Sequence, residues 1–329
     1  MPAQIRFKTL APLASLALTV LVAASLAACG DSSSEPTKAS PAARHAAAEK
    51  IIAQATGVNP AARSARIDAT IGLDVKGFKH FEGPIEITAN GFYNLPDGED
   101  VPELDMDVSL ALNGGVFGGG IVVAGEKGYI TLGSTGYKLP DAISKVLVAP
   151  AREAKNGLTK TGAMFYINPQ DWQTNAQVIG EETVAGEPTV KLTADVLVNV
   201  ALSDLAKLFD FLTLIHVTRA VGLPTEITPK MRAAFLRSVK DVQGVVWVGK
   251  DDHVLRKAHV TGKLVVAKEN RKTLLGARRG SLDATVNISE VGDPHKISAP
   301  TQLDPYANLQ LSLKALAEAA GIKAKKDAR

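Results

Sequence analysis

Ser64-Ala65-Arg66-Ile67-Asp68-Ala69-Thr70-Ile71-Gly72-Leu73-Asp74-Val75-Lys76 alternates apolar and polar or small residues over its whole length. Apolar side chains at every second position share one face of an extended chain, whereas a helix needs them three and four residues apart. The stretch therefore predicts one long strand, with one face in an apolar interior and the other in water. The period returns around Ile85, Ile87 and Ala89, and again at Leu104, Met106, Val108 and Leu110. It recurs at Val190, Leu192, Ala194 and Val196, at Ala258, Val260 and Leu264, and at Leu282, Ala284, Val286 and Ile288.

Strands covered on both faces in a parallel sheet read as unbroken apolar runs. These are half wet, so the sheet is expected to be antiparallel with a single buried face. Turn-rich links support a meander, among them Asn113-Gly114-Gly115, Gly125-Glu126-Lys127-Gly128 and Ala185-Gly186-Glu187-Pro188. Helical spacing appears in Ala42 to Thr56, Pro140 to Asn156, Leu197 to Val221, Thr228 to Asp241 and Pro305 to Lys325. In the third of these, Leu202, Leu205, Leu208, Phe209, Leu212 and Ile215 leave only a narrow polar stripe of Ser203, Lys207 and Asp210. A helix that apolar must be covered, either by the sheet or as one wall of a cavity. The final amphipathic helix is expected to dock on the sheet.

The amino-terminal region has a different character. Arg6 and Lys8 precede an apolar run from Leu10 to Leu26, and Leu26-Ala27-Ala28 leads into Cys29, the only cysteine. The run is slightly short of the about 20 apolar residues that span a bilayer. A plain secretory signal also ends in small residues. Leu-Ala-Ala directly before a cysteine resembles the bacterial lipobox, in which the thiol receives a diacylglyceryl group, with palmitate among the acyl chains expected on such a cysteine. That reading is preferred, since no second cysteine competes for a disulfide. The expected division is a lipoprotein signal peptide over 1–28 and a lipidated cysteine with flexible linker over 29–43. A single domain over 44–303 with a helical insertion at 197–241 follows, and then a terminal helix with a basic tail over 304–329.

Lys and Arg number 37 against 34 Asp and Glu, and the segment to be removed carries two of the bases and no acid. A nearly neutral remainder argues against nucleic acid as a partner. The concentrated positive charge readable along the chain is Lys323, Lys325, Lys326 and Arg329, a solvated helix end.

Signs of chemistry are few. Gly114 to Gly120 lacks the spacing and the following helix of a nucleotide loop, and is better read as glycine that lets a strand bend and its neighbours approach. His45, His80, His216, His253, His259 and His295 are scattered without metal-ligand spacing, so no metal and no other cofactor is expected. Asp97, Glu99, Asp100, Asp105 and Asp107 lack a calcium-loop pattern and read as a solvated hairpin. No GxSxG elbow is present, so no catalytic residue is assigned and the chain is read as a non-enzyme. Asp210 is the most suggestive carboxylate, with a solvent-facing stripe as its simpler account.

Four stretches, taken in order, carry a family resemblance. They are the helix leading into Ser64-Ala65-Arg66-Ile67, the strand Gly128-Tyr129-Ile130-Thr131-Leu132, the hairpin Gly180 to Val190 with its Thr183-Val184-Ala185-Gly186 core, and Val246-Trp247-Val248 followed by Asp252-His253-Val254-Leu255. Together they resemble the LppX/LprG-type bacterial lipoproteins of the wider LolA/LolB-like group. The resemblance implies an α+β fold, a curved antiparallel half-barrel of about ten strands with helices on its concave apolar face. It also implies an acyl-chain cavity between them, and an acyl lipid or glycolipid as partner. The chain would then sit on the extracytoplasmic face of the cell membrane through its lipid anchor, with an envelope transporter as a further partner. The expected lining is Ile71, Leu73, Ile87, Met106, Val108 and Leu110 from the strands, with Leu205, Leu208, Phe209, Leu212 and Ile215 from the helix. An alternative is an envelope sensor or scaffold of the same fold that acts through protein partners. The insertion 197–241 and the extension 304–329 are longer than the family pattern.

Overall fold

The computed structural model of the chain describes residues 39–55, 60–78, 83–96, 102–112, 114–154, 172–220 and 224–319. The expected signal peptide, Cys29, the expected linker up to residue 38 and the basic residues after 319 lie outside the described residues. Helix α1 (Pro41–Ala55) and a 3-10 turn (Pro60–Arg63) precede β1 (Ser64–Lys76). Next come β2 (Pro84–Asn94), β3 (Glu103–Leu112), β4 (Gly115–Ala124), β5 (Lys127–Leu132) and β6 (Thr135–Lys138). Helix α2 (Asp141–Ala154) precedes β7 (Gln173–Val184) and β8 (Glu187–Val196). Helices α3 (Val198–Leu214), α4 (Val217–Ala220) and α5 (Pro229–Ser238) fill the insertion before β9 (Val239–Gly249). Strands β10 (Leu255–Val265), β11 (Arg279–Ser289) and β12 (Leu303–Asp304) and helix α6 (Leu309–Ala319) complete the chain.

All twelve strands join one sheet in the order β12-β6-β5-β4-β3-β2-β1-β11-β10-β9-β8-β7. Every pairing is antiparallel except β12 with β6. The sheet is open, and the α+β class expected from the alternation holds. Two strands exceed the expected number because β6 has four residues and β12 two, too few to show a period. At the insertion two boundaries move. The third helical segment breaks after Leu214, where His216 takes φ 69°. Helix α5 stops at Ser238 instead of Asp241, since Val239 and Lys240 already pair with Leu264 and Lys263. Its start follows from Thr228, whose Oγ1 accepts from Met231 N at 3.2 Å, and from Pro229 in the first turn.

The period-2 pattern maps onto the two faces as read. Ile67, Ala69, Ile71 and Leu73 register with Gly91, Ala89, Ile87 and Ile85 on β2, and with Ile288, Val286, Ala284 and Leu282 on β11. Helices lie on this face. The largest core cluster joins Leu104, Met106, Phe117 and Ile130 of the sheet with Leu147 and Phe211 of the helices and Ile215 at the end of α3. Leu309, Leu313 and Ala317 of α6 enter the same cluster at four-residue spacing, so the final helix docks as expected. A second cluster joins Ala48 of α1 to Ala176, Val178, Leu192, Ala194 and Val248 of β7–β9.

Both edges are managed. Strand β7 carries two register shifts and a left-handed Asn175 (φ 53°), and α1 packs against it. At the other edge the chain after β11 crosses the polar face. His295 stacks on Phe92 with ring centroids 3.7 Å apart, and Ile297 is buried against Val122 and Tyr129. It then reaches β6, where a Cβ on Gly136 would stand 2.6 Å from Pro300, and turns onto the apolar face as α6. The tail thus wraps the edge from one face of the sheet to the other.

Candidate functional site

The apolar face is closed at its flanks and only partly covered at the middle of its central strands, whose ends at Val75 and Leu264 pack against the cluster of Ala234, Val266, Leu274 and Ala277. Leu104, Met106, Leu112 and Ile130 on one side and Ala176, Leu192, Ala194 and Val248 on the other are all buried. Between them Ile71, Leu73, Ile87 and Val108 are half-buried, as are Leu282, Val286 and Val260. Their positions adjoin: Ile71 pairs with Ile87 and with Ala284, Leu73 with Leu282, and Ile87 with Leu110. Ile71, Leu73, Ile87 and Val108 belong to no packed cluster among the described residues.

The lining expected from the sequence therefore divides. Ile71, Leu73, Ile87 and Val108 form a continuous strip on the central strands. Met106, 7% exposed, and Ile215, 1% exposed, are instead built into the closed core, with Leu110 and Leu212 packed against it. Phe209 on α3 is half-buried, while the side chains of Leu205 and Leu208 lie outside the described residues. Periodicity identifies a strand's apolar face, but not which part of that face other elements cover.

The polar face carries a recess of ≈ 420 Å³, lined by Thr88, Asn90, Asp107, Ser109, Gly118, Thr131 and their neighbours. Glycines make room for it. A Cβ on Gly120, on this face, would stand 2.3 Å from Thr131 Oγ1, and one on Gly119, on the apolar face, would stand 2.8 Å from Thr131 O. The mechanical reading of the glycine run thus has its contacts. Across the recess Thr88 Oγ1 and Ser109 Oγ lie 2.8 Å apart. Asp105, further along the same strand and face, has its pKa raised, first by burial and then by the charge of Asp107.

Asp210 is exposed and takes the solvent-facing role. The buried carboxylate of α3 is Asp204, which the sequence did not single out. It accepts from Trp172 Nε1 at 2.9 Å and from Lys207 Nζ at 2.7 Å. The partner Trp172 lies 32 residues earlier, so no local spacing marks it. Another unforeseen group is Trp247, 5% exposed, with Lys191 Nζ and Lys257 Nζ at 4.9 and 4.8 Å from its ring centroid. Its indole N–H donates to Glu182 Oε2 at 2.9 Å. That hydrogen bond, then the one from Lys191, lowers the Glu182 pKa.

Among the described residues no group of three or more His, Cys, Asp or Glu could hold a metal, and no helix is long and apolar enough to cross a membrane. His80, Asp97, Glu99 and Asp100 lie outside the described residues.

No family model and no curated protein matches this chain. Similar solved structures include the Mycobacterium tuberculosis lipoprotein LppX, at 16% identity and TM-score 0.36, over 79% of this chain and 100% of that one. LprF from Mycobacterium bovis is 13% identical with TM-score 0.41, over 78% and 97% of the two chains. A LolA superfamily protein from Nitrosomonas europaea is 11% identical with TM-score 0.19, over 74% and 91%. The group that the sequence motifs resemble is thus represented among the similar structures. Likeness this distant transfers no function.

Proposed function

We propose that this chain is an extracytoplasmic lipoprotein, anchored through an acylated Cys29, that holds an acyl lipid or glycolipid against the central apolar strip. The single observation that supports this most is the half-buried state of Ile71, Leu73, Ile87 and Val108 between two closed flanks. A sheet face with no further task would be covered from end to end, because each methylene left in water forgoes about 0.8 kcal/mol. A hydrocarbon tail offers the same gain. Leaving a bilayer for a strip of Ile, Leu and Val exchanges one apolar surrounding for another, so loading and release are nearly balanced and need no chemistry. The role is carriage or presentation at the outer face of the membrane, without catalysis.

The experiment is extraction of the protein purified from membranes, followed by lipid mass spectrometry on the extract. A bound acyl lipid in stoichiometric amount is the expected result. An empty extract, combined with failure of the purified protein to take up a fluorescent acyl lipid, overturns the proposal. A protein partner that survives delipidation in that case favours the scaffold alternative.

A further inference from the structure

One end of the sheet gathers positive charge that the order of the chain conceals. It is the end where β1 finishes, β9 and β11 begin and β10 runs into the crossover 266–278. Register sets Lys76 opposite Arg279, and Lys240 opposite Lys263. Like charges directly across a ladder weaken a sheet. Asp74 and Asp241 relieve Lys76 and Lys263, at 2.9 and 3.0 Å. Lys240, Lys268, Lys272, Arg278 and Arg279 are exposed and have no ion pair among the described residues. The crossover is tied to the sheet, with Arg278 N donating to Lys76 O at 2.9 Å and Val266 N to Arg278 O at 2.8 Å, so these cations gather at one end of the sheet. Besides Asp74 and Asp241, already paired, Glu269 is interspersed among them.

Two further features say what covers this surface. Val265 is 58% exposed, stands opposite Arg279 in the ladder and follows Lys263 on the same face of β10, an apolar side chain set between cations. That combination suits the boundary between headgroups and acyl chains, where apolar insertion and attraction to anionic lipid act together. The chain also enters the fold near this end. His45 in the second turn of α1 places Nδ1 2.8 Å from Ala176 O, close to the start of β7.

We propose that this end of the sheet docks on the anionic headgroups of a phospholipid bilayer, with Lys240, Lys268, Lys272, Arg278 and Arg279 over the phosphates and Val265 at the interface. The docking does not depend on the central strip holding a lipid, nor on an acyl group at Cys29. It orients the sheet end-on to the membrane, with the central strands running away from the surface.

The test is flotation of the full chain, carrying Cys29→Ala so that no acyl group contributes, with two kinds of vesicle. One is phosphatidylcholine alone, and the other carries about one third phosphatidylglycerol. The leader's apolar run acts on both alike, and its Arg6 and Lys8 are common to every variant, so the change between variants isolates the charge at the sheet end. Partition onto the anionic vesicles is expected to exceed that onto the neutral ones at least about tenfold at low salt. The difference should vanish at 1 M salt, where the screening length is about 3 Å. Lys272→Gln/Arg278→Gln/Arg279→Gln should remove most of it, with Lys240→Gln/Lys268→Gln as the second variant if the first fails to fold. Lys323→Gln/Lys325→Gln/Lys326→Gln should leave it in place. Equal partition onto both vesicles, or loss only with the carboxy-terminal variant, overturns the proposal. Tighter binding to duplex DNA than to anionic vesicles at the same salt overturns it in favour of a nucleic acid.

Discussion

Leu192 and Ile71 occupy the same face of one sheet and meet opposite fates. Leu192, on β8, has no exposed surface and sits among Ala48, Ala176, Val178 and Val248. Ile71, on β1, lies four strands away at the centre and stays half-buried, outside any packed cluster among the described residues. Both are large aliphatic residues in alternating strands, so neither composition nor period distinguishes them. What differs is the element laid over each: α1 closes one flank, α2, α3, α4 and α6 close the other, α5 and the crossover cover Val75 and Leu264 at one end of the central strands, and the middle of those strands is left partly exposed. A face can be uniformly apolar by sequence and still be divided by its coverings into core and strip.

Substitution is the sharpest way to break that comparison. Leu192→Ala leaves a cavity in a closed cluster and should cost about 2–5 kcal/mol. Ile71→Ala should cost about 1 kcal/mol or less, since a half-buried side chain loses only part of its transfer energy. Urea unfolding of both variants measures the two values. Equal costs would mean that the centre is as tightly packed as the flank.

Docking of the coverings can be tested next. A Cβ on Gly128 would stand 2.8 Å from Leu147 Cδ1 and 3.0 Å from Leu139 Cδ1, both buried. Gly128→Ala should therefore displace α2 from β5 and cost about 1–3 kcal/mol in thermal or urea unfolding. The same change at Gly118, whose Cβ would meet its nearest atom at 3.7 Å, should cost distinctly less.

The polar face supplies smaller effects, both dependent on pH. The Glu182 pKa is lowered by its hydrogen bonds from Trp247 and then Lys191, so its contribution is full above the ordinary glutamate value of about 4.3. It is lost as pH falls through the lowered value. Glu182→Gln should be less stable than the parent at neutral pH, with the gap closing in acid, as followed by Tm against pH. Asp105 has the opposite sign. Burial, then Asp107, raises its pKa, so its ionised form costs stability at neutral pH, and the cost fades as pH falls through the raised value. Asp105→Asn should raise Tm slightly at pH 7, with the gain shrinking toward about pH 4.

Much of the fold was legible because alternation is a strong signal: the paired faces of β1, β2, β3, β8, β10 and β11 follow directly from the period of their residues. Strands of four and two residues offered no period to read. The contacts made by the segment after β11 were equally hidden, since Ile297 meets Val122 and Tyr129 from far along the chain. For the site, the period marked the apolar positions of the strands but could not separate Met106, built into the closed core, from Ile71, half-buried and outside the packed clusters among the described residues. The charge at the sheet end escaped for the same reason. Lys76, Lys240, Lys263 and Arg279 come from four strands, and only the register sets them in facing pairs.

The central claim is that the half-buried strip receives a hydrocarbon tail. Photo-crosslinking with a diazirine-bearing fatty acyl lipid, followed by peptide mapping, tests it most directly. The account expects adducts on Ile71, Leu73, Ile87 and Val108, and their loss in Ile71→Lys while Leu192→Ala keeps them. Adducts confined to the polar-face recess around Thr88 and Asp107, or none at all on a folded protein, would contradict it.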